Sequence, residues 1–155
     1  MAFDVERLLQ LWTDPLPGDD AAAAETFRRL YTDPVTVNGT QLTAADLVTR
    51  ARVMQAALEE PEREVLAVSD AGESVAVAFR LAGRQVGPLD TPAGRVAPTG
   101  RRIDVRIIDI LTLADGRISA IWMVADWLTA LADADVVHLS TDAPQEASAG
   151  AAGGT

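Results

Sequence analysis

The chain has no cysteine and a single histidine, His138, which leaves no disulfide framework, no thiolate nucleophile and no thiolate metal site. It also has no basic excess. Thirteen basic against 23 acidic residues give a formal net charge of -10, which disfavours nucleic acid and anionic membranes as partners and leaves neutral ligands easier to accept. No uninterrupted apolar run approaches the roughly 18 to 20 residues that span a bilayer, and MAFDVERLL shows no basic segment followed by an apolar one, so a cytoplasmic protein is expected. The loop glycines form neither GxGxxG nor a P-loop, and the acids do not arrive with His or Cys at ligand spacing. Neither a nucleotide nor a metal is expected.

What is present is apolar and patterned. The 155 residues are 48% hydrophobic, enough for one domain, expected over residues 1–139, followed by a disordered tail over 140–155 in which STDAPQEASAGAAGGT buries nothing. Phe3, Leu8, Leu9 and Trp12 fall at helical spacing before Pro15 to Gly18 breaks the element. Asp19 or Asp20 caps a second helix through Ala21 to Tyr31, closed by Asp33-Pro34, and Thr43 caps a third in which Leu47, Val48, Ala51, Met54, Ala57 and Leu58 recur. Between them lie a short strand, Val35 to Val37, and an Asn38-Gly39-Thr40 turn. Strands then follow in succession over Glu64 to Val68, Ser74 to Gln85, Arg101 to Leu113 and Arg117 to Trp127. Helices first and strands later predict an α+β fold with a curved antiparallel sheet wrapping helices.

The last two strands are joined by Asp115-Gly116, a pair that favours a tight type I′ turn. If Ala114 opposes Arg117, unbroken alternation sets Asp109 across from Trp122 and Val105 across from Asp126. Ile103, Val105, Ile107, Asp109, Ile118, Ala120, Trp122, Val124 and Asp126 then share one face, an apolar wall interrupted by two acids and an indole. The other face, with Ile108, Ile110, Ile121 and Met123, is too apolar for full solvation and reads as a homodimer interface. Gly87 to Gly100, rich in Pro and Gly, is a loop able to close over a pocket mouth.

An ordered set of short motifs resembles the SnoaL-like polyketide and ester cyclases of the nuclear transport factor 2-like superfamily. These are a strand ending Arg80-x-x-Gly83, then Pro98-Thr99-Gly100-Arg101, Asp109-Ile110, Asp115-Gly116-Arg117-Ile118 and Trp122-x-x-x-Asp126. The likeness spans about residues 5 to 133. It implies a cone of strongly curved sheet closed by three N-terminal helices around an apolar pocket, commonly a dimer, and an aspartate that serves as general acid/base in a ring closure needing no metal or cofactor. Asp126 is the position that matches. The chain departs from the pattern at Arg84-Gln85, where many members carry Thr-His, and at Ala120, where many carry Glu, so no histidine is expected to assist.

Each candidate residue has a bland reading beside the functional one. Asp126 is either a base whose pKa an apolar pocket raises, or a structural acid capping the terminal segment or pairing with an arginine. Asp109 either brackets a ligand as a second catalytic carboxylate or bonds to a loop or to Arg80. Trp122 is a core residue or a flat wall for substrate. Asn38 is a turn residue or a ligand hydrogen bond at the cavity, able to stabilise an enolate, and Tyr31 packs or touches substrate. The leading expectation is a cofactor-independent cyclase of bacterial secondary metabolism acting on a hydrophobic, polyketide-like substrate. Its rivals are epoxide opening by two carboxylates on the same fold, and a non-catalytic binding or assembly module.

Overall fold

The computed structural model describes residues 2–140, so the expected tail beyond Ser140 lies outside the described residues. Three helices and a short strand pair come first: α1 (Val5–Thr13), α2 (Asp20–Arg28), β1 (Tyr31–Val37), β2 (Thr40–Leu42) and α3 (Ala44–Ala57). Each helix is started by a side chain that takes up an orphan backbone N–H: Asp4, Asp19, and Thr43 in a reciprocal capping box with Asp46. The remaining elements are β3 (Leu58–Asp70), β4 (Ser74–Gln85), β5 (Leu89–Thr91), β6 (Gly94–Val96), β7 (Arg102–Ala114), β8 (Arg117–Ala125) and α4 (Trp127–Asp133). Among the described residues no helix is long and apolar enough to cross a membrane.

The large sheet runs β2-β1-β8-β7-β4-β3. Its pairings are antiparallel except β1 with β8, which is parallel, and β5 with β6 forms a separate small hairpin inside the Gly87 to Gly100 loop. Register shifts within β3–β4, β7–β8 and β1–β8 curve the sheet, since an extra residue on one strand bends it and adds twist. Helices pack on the concave side, giving the expected α+β cone. Its core is built from alternate residues of β4 (Val75, Val77, Phe79, Leu81) and β7 (Ile103, Val105, Ile107, Leu111), facing Leu8 and Leu9 of α1, Phe27 of α2 and Leu47 of α3.

Several sequence expectations move. The second helix stops at Arg28, and Tyr31 opens a strand instead of ending a helix; the strand predicted at Val35 to Val37 therefore begins four residues earlier. The strand predicted at Glu64 to Val68 extends at both ends to Leu58–Asp70, because its long cross-strand pairing with β4 overrides the turn character of Glu59-Glu60-Pro61. The final strand stops at Ala125 and a fourth helix follows.

The largest change is in the hairpin. Asp115 and Gly116 do adopt the positive φ of a type I′ turn, and Ala114 does pair with Arg117. Past Leu113–Ile118 the register then slips by one residue at Ser119, whose hydroxyl donates to the Thr112 carbonyl. Asp109 therefore pairs with Met123, not Trp122, and Ile110 pairs with Trp122. A one-residue slip exchanges the faces of everything beyond it. Ile121 turns inward, whereas Trp122 is 62% exposed and Val124 74% exposed on the outer surface beside Ile108 and Ile110.

The long loop is held by Gln85, which is fully buried. Its amide nitrogen donates to the carbonyls of Gly87, Val96 and Ala97, and its amide oxygen accepts from the Thr99 hydroxyl at 2.8 Å. Gln85 is thus the loop's anchor. Replacing it with an apolar group of similar size strands several acceptors at once, so Gln85→Leu should lower unfolding free energy by about 2–4 kcal/mol in a urea titration. A loss below about 0.5 kcal/mol would mean that the loop is held by other contacts.

Candidate active site

The inner face of β7 carries one charged residue. Asp109 alternates with Ile103, Val105, Ile107 and Leu111, so strand geometry alone aims its carboxyl into the core. It is 7% exposed, and its Oδ1 has no hydrogen-bond partner. Arg80, the structural partner that the sequence allowed, is occupied by Asp104 at 2.9 Å and Glu64 at 3.1 Å on the other face. With desolvation unopposed, the ionised form is disfavoured and the pKa is pushed up to about 7. A carboxyl poised there exchanges protons at neutral pH.

Asp126 lies elsewhere. Its side chain caps α4, accepting the Thr129 N–H at 3.1 Å, and its Oδ2 lies 3.5 Å from Arg106 on the outer face of β7. Hydrogen bonds from Thr129, then the Arg106 charge, hold its pKa below the usual carboxylate range. The expectation of a base raised by an apolar pocket is corrected on both counts, and the structural alternative, a cap paired with an arginine, describes the residue. The two acids stand on opposite faces of β7, with no shared site between them.

Trp122, expected as a cavity wall, is on the outer surface because of the slip at Ser119. Asn38 is exposed in the β1–β2 turn with φ 48°, and its amide oxygen accepts the Met123 N–H at 2.8 Å, tying the turn to β8. Its place at a cavity is corrected: the turn reading is the one realised. Tyr31 is 2% exposed, and its hydroxyl accepts the Trp12 indole N–H at 2.8 Å. Phe27 packs against both rings, 5.3 Å from Trp12 and 5.8 Å from Tyr31 between centroids. Burial above all raises the Tyr31 pKa; the Asp109 charge adds to this, and the Trp12 hydrogen bond opposes it. Nothing in the sequence pointed to the Trp12 bond, since helical spacing marked that residue only as core.

Two hollows bear on access. One of about 10 Å³, the space of about one water, lies between Trp12, Thr13, Met54, Gln55, Leu58, Pro61 and Leu81. A groove of about 190 Å³ runs between α1 and α2 over Leu11, Leu16 and Leu30, with Arg7 and Gln10 at its rim. Neither includes Asp109. Among the described residues no group of three or more acids, His or Cys is placed to hold a metal ion.

The family model for SnoaL-like polyketide cyclases matches residues 6–134. The chain belongs to that family. Its fold is shared with a provisional SnoaL-like polyketide cyclase from Jannaschia sp. CCS1, at 24% identity and a TM-score of 0.63 over 87% of this chain and 92% of that one. It is shared likewise with TsrD from Streptomyces laurentii (18%, TM-score 0.65, 86% and 98%) and with IdmH from Streptomyces antibioticus, a provisional polyketide cyclase (20%, TM-score 0.63, 85% and 96%). No curated protein matches the chain in sequence.

The pH dependence of stability follows from Asp109. A carboxyl whose folded pKa lies above its unfolded value binds its proton more tightly when folded, so its effect on stability is favourable at low pH and is lost as pH rises from about 4 through 7. Asp109→Asn, which keeps the shape without the charge, should therefore stabilise the protein at pH 8 by on the order of 2–4 kcal/mol and change it little near pH 4. Thermal denaturation of both proteins across that range checks this, and a variant equally or less stable at pH 8 would contradict it.

Proposed function

We propose that the protein is a polyketide cyclase-type enzyme in which Asp109 is the general acid/base of an intramolecular aldol ring closure on a hydrophobic, polyketide-like substrate. The observation that carries this is the Asp109 carboxyl, buried and unpartnered on the inner face of β7 in a member of the SnoaL-like family. The ionised carboxylate takes a proton from the carbon alpha to a substrate carbonyl, and the resulting enolate carbon attacks a second carbonyl of the same molecule. One carbon–carbon bond forms, and the alkoxide produced takes the proton back from Asp109. Every electron pair stays within substrate and carboxylate, so the chain's own side chains suffice. Substrate reaches a carboxyl this deeply covered only when the layer over it moves, and the ring closure then proceeds away from water.

Two rivals remain as outcomes of the test. Epoxide opening by a pair of carboxylates loses its support, because Asp126 faces outward against Arg106. A non-catalytic binding or assembly module is the other reading, and it is consistent with Asp109 lining neither of the two hollows. The test is turnover of a panel of aromatic β-keto esters and hydroxy-epoxides by wild type, Asp109→Asn and Asp126→Asn, with folding checked for each. Asp109→Asn should lose 10²-fold or more and Asp126→Asn less than tenfold. Full activity in Asp109→Asn would overturn the mechanism, and inactivity of the folded wild type throughout would favour the binding module.

The apolar outer face supports a homodimer. Ile108, Ile110, Trp122 and Val124 are exposed on adjacent strands, flanked by the small side chains of Ala76 and Ala78 on β4, and a second copy of this surface would cover them. Sedimentation should give twice the chain mass, reduced to one chain by Trp122→Asp. A monomeric wild type at micromolar concentration would refute the dimer.

A further inference from the structure

A substrate bound for Asp109 needs a way in, and the register of the sheet leads from that carboxyl to uncovered surface on the same face. Asp109 pairs with Val77, and Val77 pairs with Val68, so the three side chains stand in one row across β7, β4 and β3 on the concave side. β3 is the edge strand, which puts Val68 about 10 Å from Asp109 at the usual spacing of neighbouring strands. From this row we infer that a hydrophobic substrate enters the cone over Val65 and Val68 at the β3 edge, and that the segment from Phe3 to Glu6, leading into α1, is the flap that lifts to admit it. The inference rests on the reading of Asp109 as the group that substrate must reach.

Three observations converge on it. Val77 in the middle of the row is fully buried, whereas Val68 is 47% exposed and Val65 38% exposed, so the apolar concave face comes to the surface at its β3 edge. That strip lies between two clasps. At one end the Phe3 N–H donates to Asp70 Oδ2 at 3.1 Å, and at the other Arg63 Nε donates to Glu6 Oε1 at 3.1 Å. Asp70 and Arg63 pair with Val75 and Leu81, which places both on the concave face with Val65 and Val68. Exposed polar ties of this kind contribute little each, and a segment held by them opens easily. The far end of α1 is attached more firmly: Gln55 of α3 donates to the carbonyls of Trp12 and Asp14 at 3.1 and 2.9 Å, and Arg63 Nη1 donates to the Thr13 hydroxyl at 2.6 Å. Unequal attachment makes that end the pivot and the first turn the moving part. Both hollows described above border α1, one along Arg7, Gln10 and Leu11 and the other beside Trp12 and Thr13, so the helix turns at the loss of fewer packing contacts.

The chain has no cysteine, so Asp109→Cys places a single thiol at the position that substrate must reach. Its rate of exchange with a neutral aromatic disulfide, 4,4′-dithiodipyridine, reads access without turnover. At low urea that rate should be independent of urea, the mark of a local opening. Adding Glu6→Ala with Asp70→Ala, which frees the flap, should raise the rate about fivefold, and adding Val68→Trp, which narrows the port, should lower it by a similar factor. Arg95→Ala cuts the pair with Asp90 in the small hairpin of the Gly87 to Gly100 loop and should leave the rate unchanged. A clasp variant no faster than its parent, a rate raised by Arg95→Ala, or a rate that follows global unfolding in urea would each overturn the inference. Hydrogen exchange of the unmodified protein gives a second test that needs no thiol: the α1 amides should exchange through a low-energy opening well before those of β7, and exchange of both elements together would contradict the flap. Failure of the ring-closure reading is seen separately, in the turnover of Asp109→Asn.

Discussion

A carboxyl group held in an apolar interior must be partnered by a cation, satisfied by donors, or kept protonated until something changes its surroundings. Asp109 has no cation and an Oδ1 without a donor, and the rest of the site follows from that condition. β7 supplies the placement, because alternation with Val105, Ile107 and Leu111 turns the Asp109 side chain inward and leaves it little exposed. β4 and β8 flank the strand, and the helices cover it. The fold therefore imposes a desolvation cost at one chosen point, and the lowered acidity of that group is the chemical return.

The outer face of the same sheet shows the opposite treatment of charge. Arg80 bridges Glu64 and Asp104, Arg102 meets Glu62, and Arg106 meets Asp126, all with solvent access. Such solvent-exposed pairs contribute little individually to stability, and they hold these arginines on the face opposite Asp109. Pairing outside and isolation inside are two sides of one strand pattern. Among the described residues Gln85 is the other buried polar side chain on the sheet, and its hydrogen bonds go to the loop.

How much of this could be read from the sequence depends on how each residue was placed. Asp109 was legible because it sits within a single unbroken strand, where period-2 alternation needs no knowledge of a partner. Trp122 and Asp126 were placed by counting across a turn, and the extra residue at Ser119 reversed every face beyond it; a bulge made by an ordinary serine carries no compositional mark. The cone, the capped helices and the Asp115-Gly116 turn rest on local chemistry and were legible for that reason. Tyr31 was expected at the end of a helix, and its place at the head of a parallel strand against β8 depends on pairing over a long sequence separation. The Trp12 bond to Tyr31 depends on the same long-range packing and left no local signature.

The account stands on the proton affinity of one side chain. Carbon-13 NMR of carboxyl-labelled aspartate, with the Asp109 resonance assigned by its loss in Asp109→Asn, measures it directly. A midpoint near pH 7 is predicted. A resonance that titrates with the ordinary aspartates, near about pH 4, would mean that the carboxyl is solvated or partnered in solution, and would contradict the account.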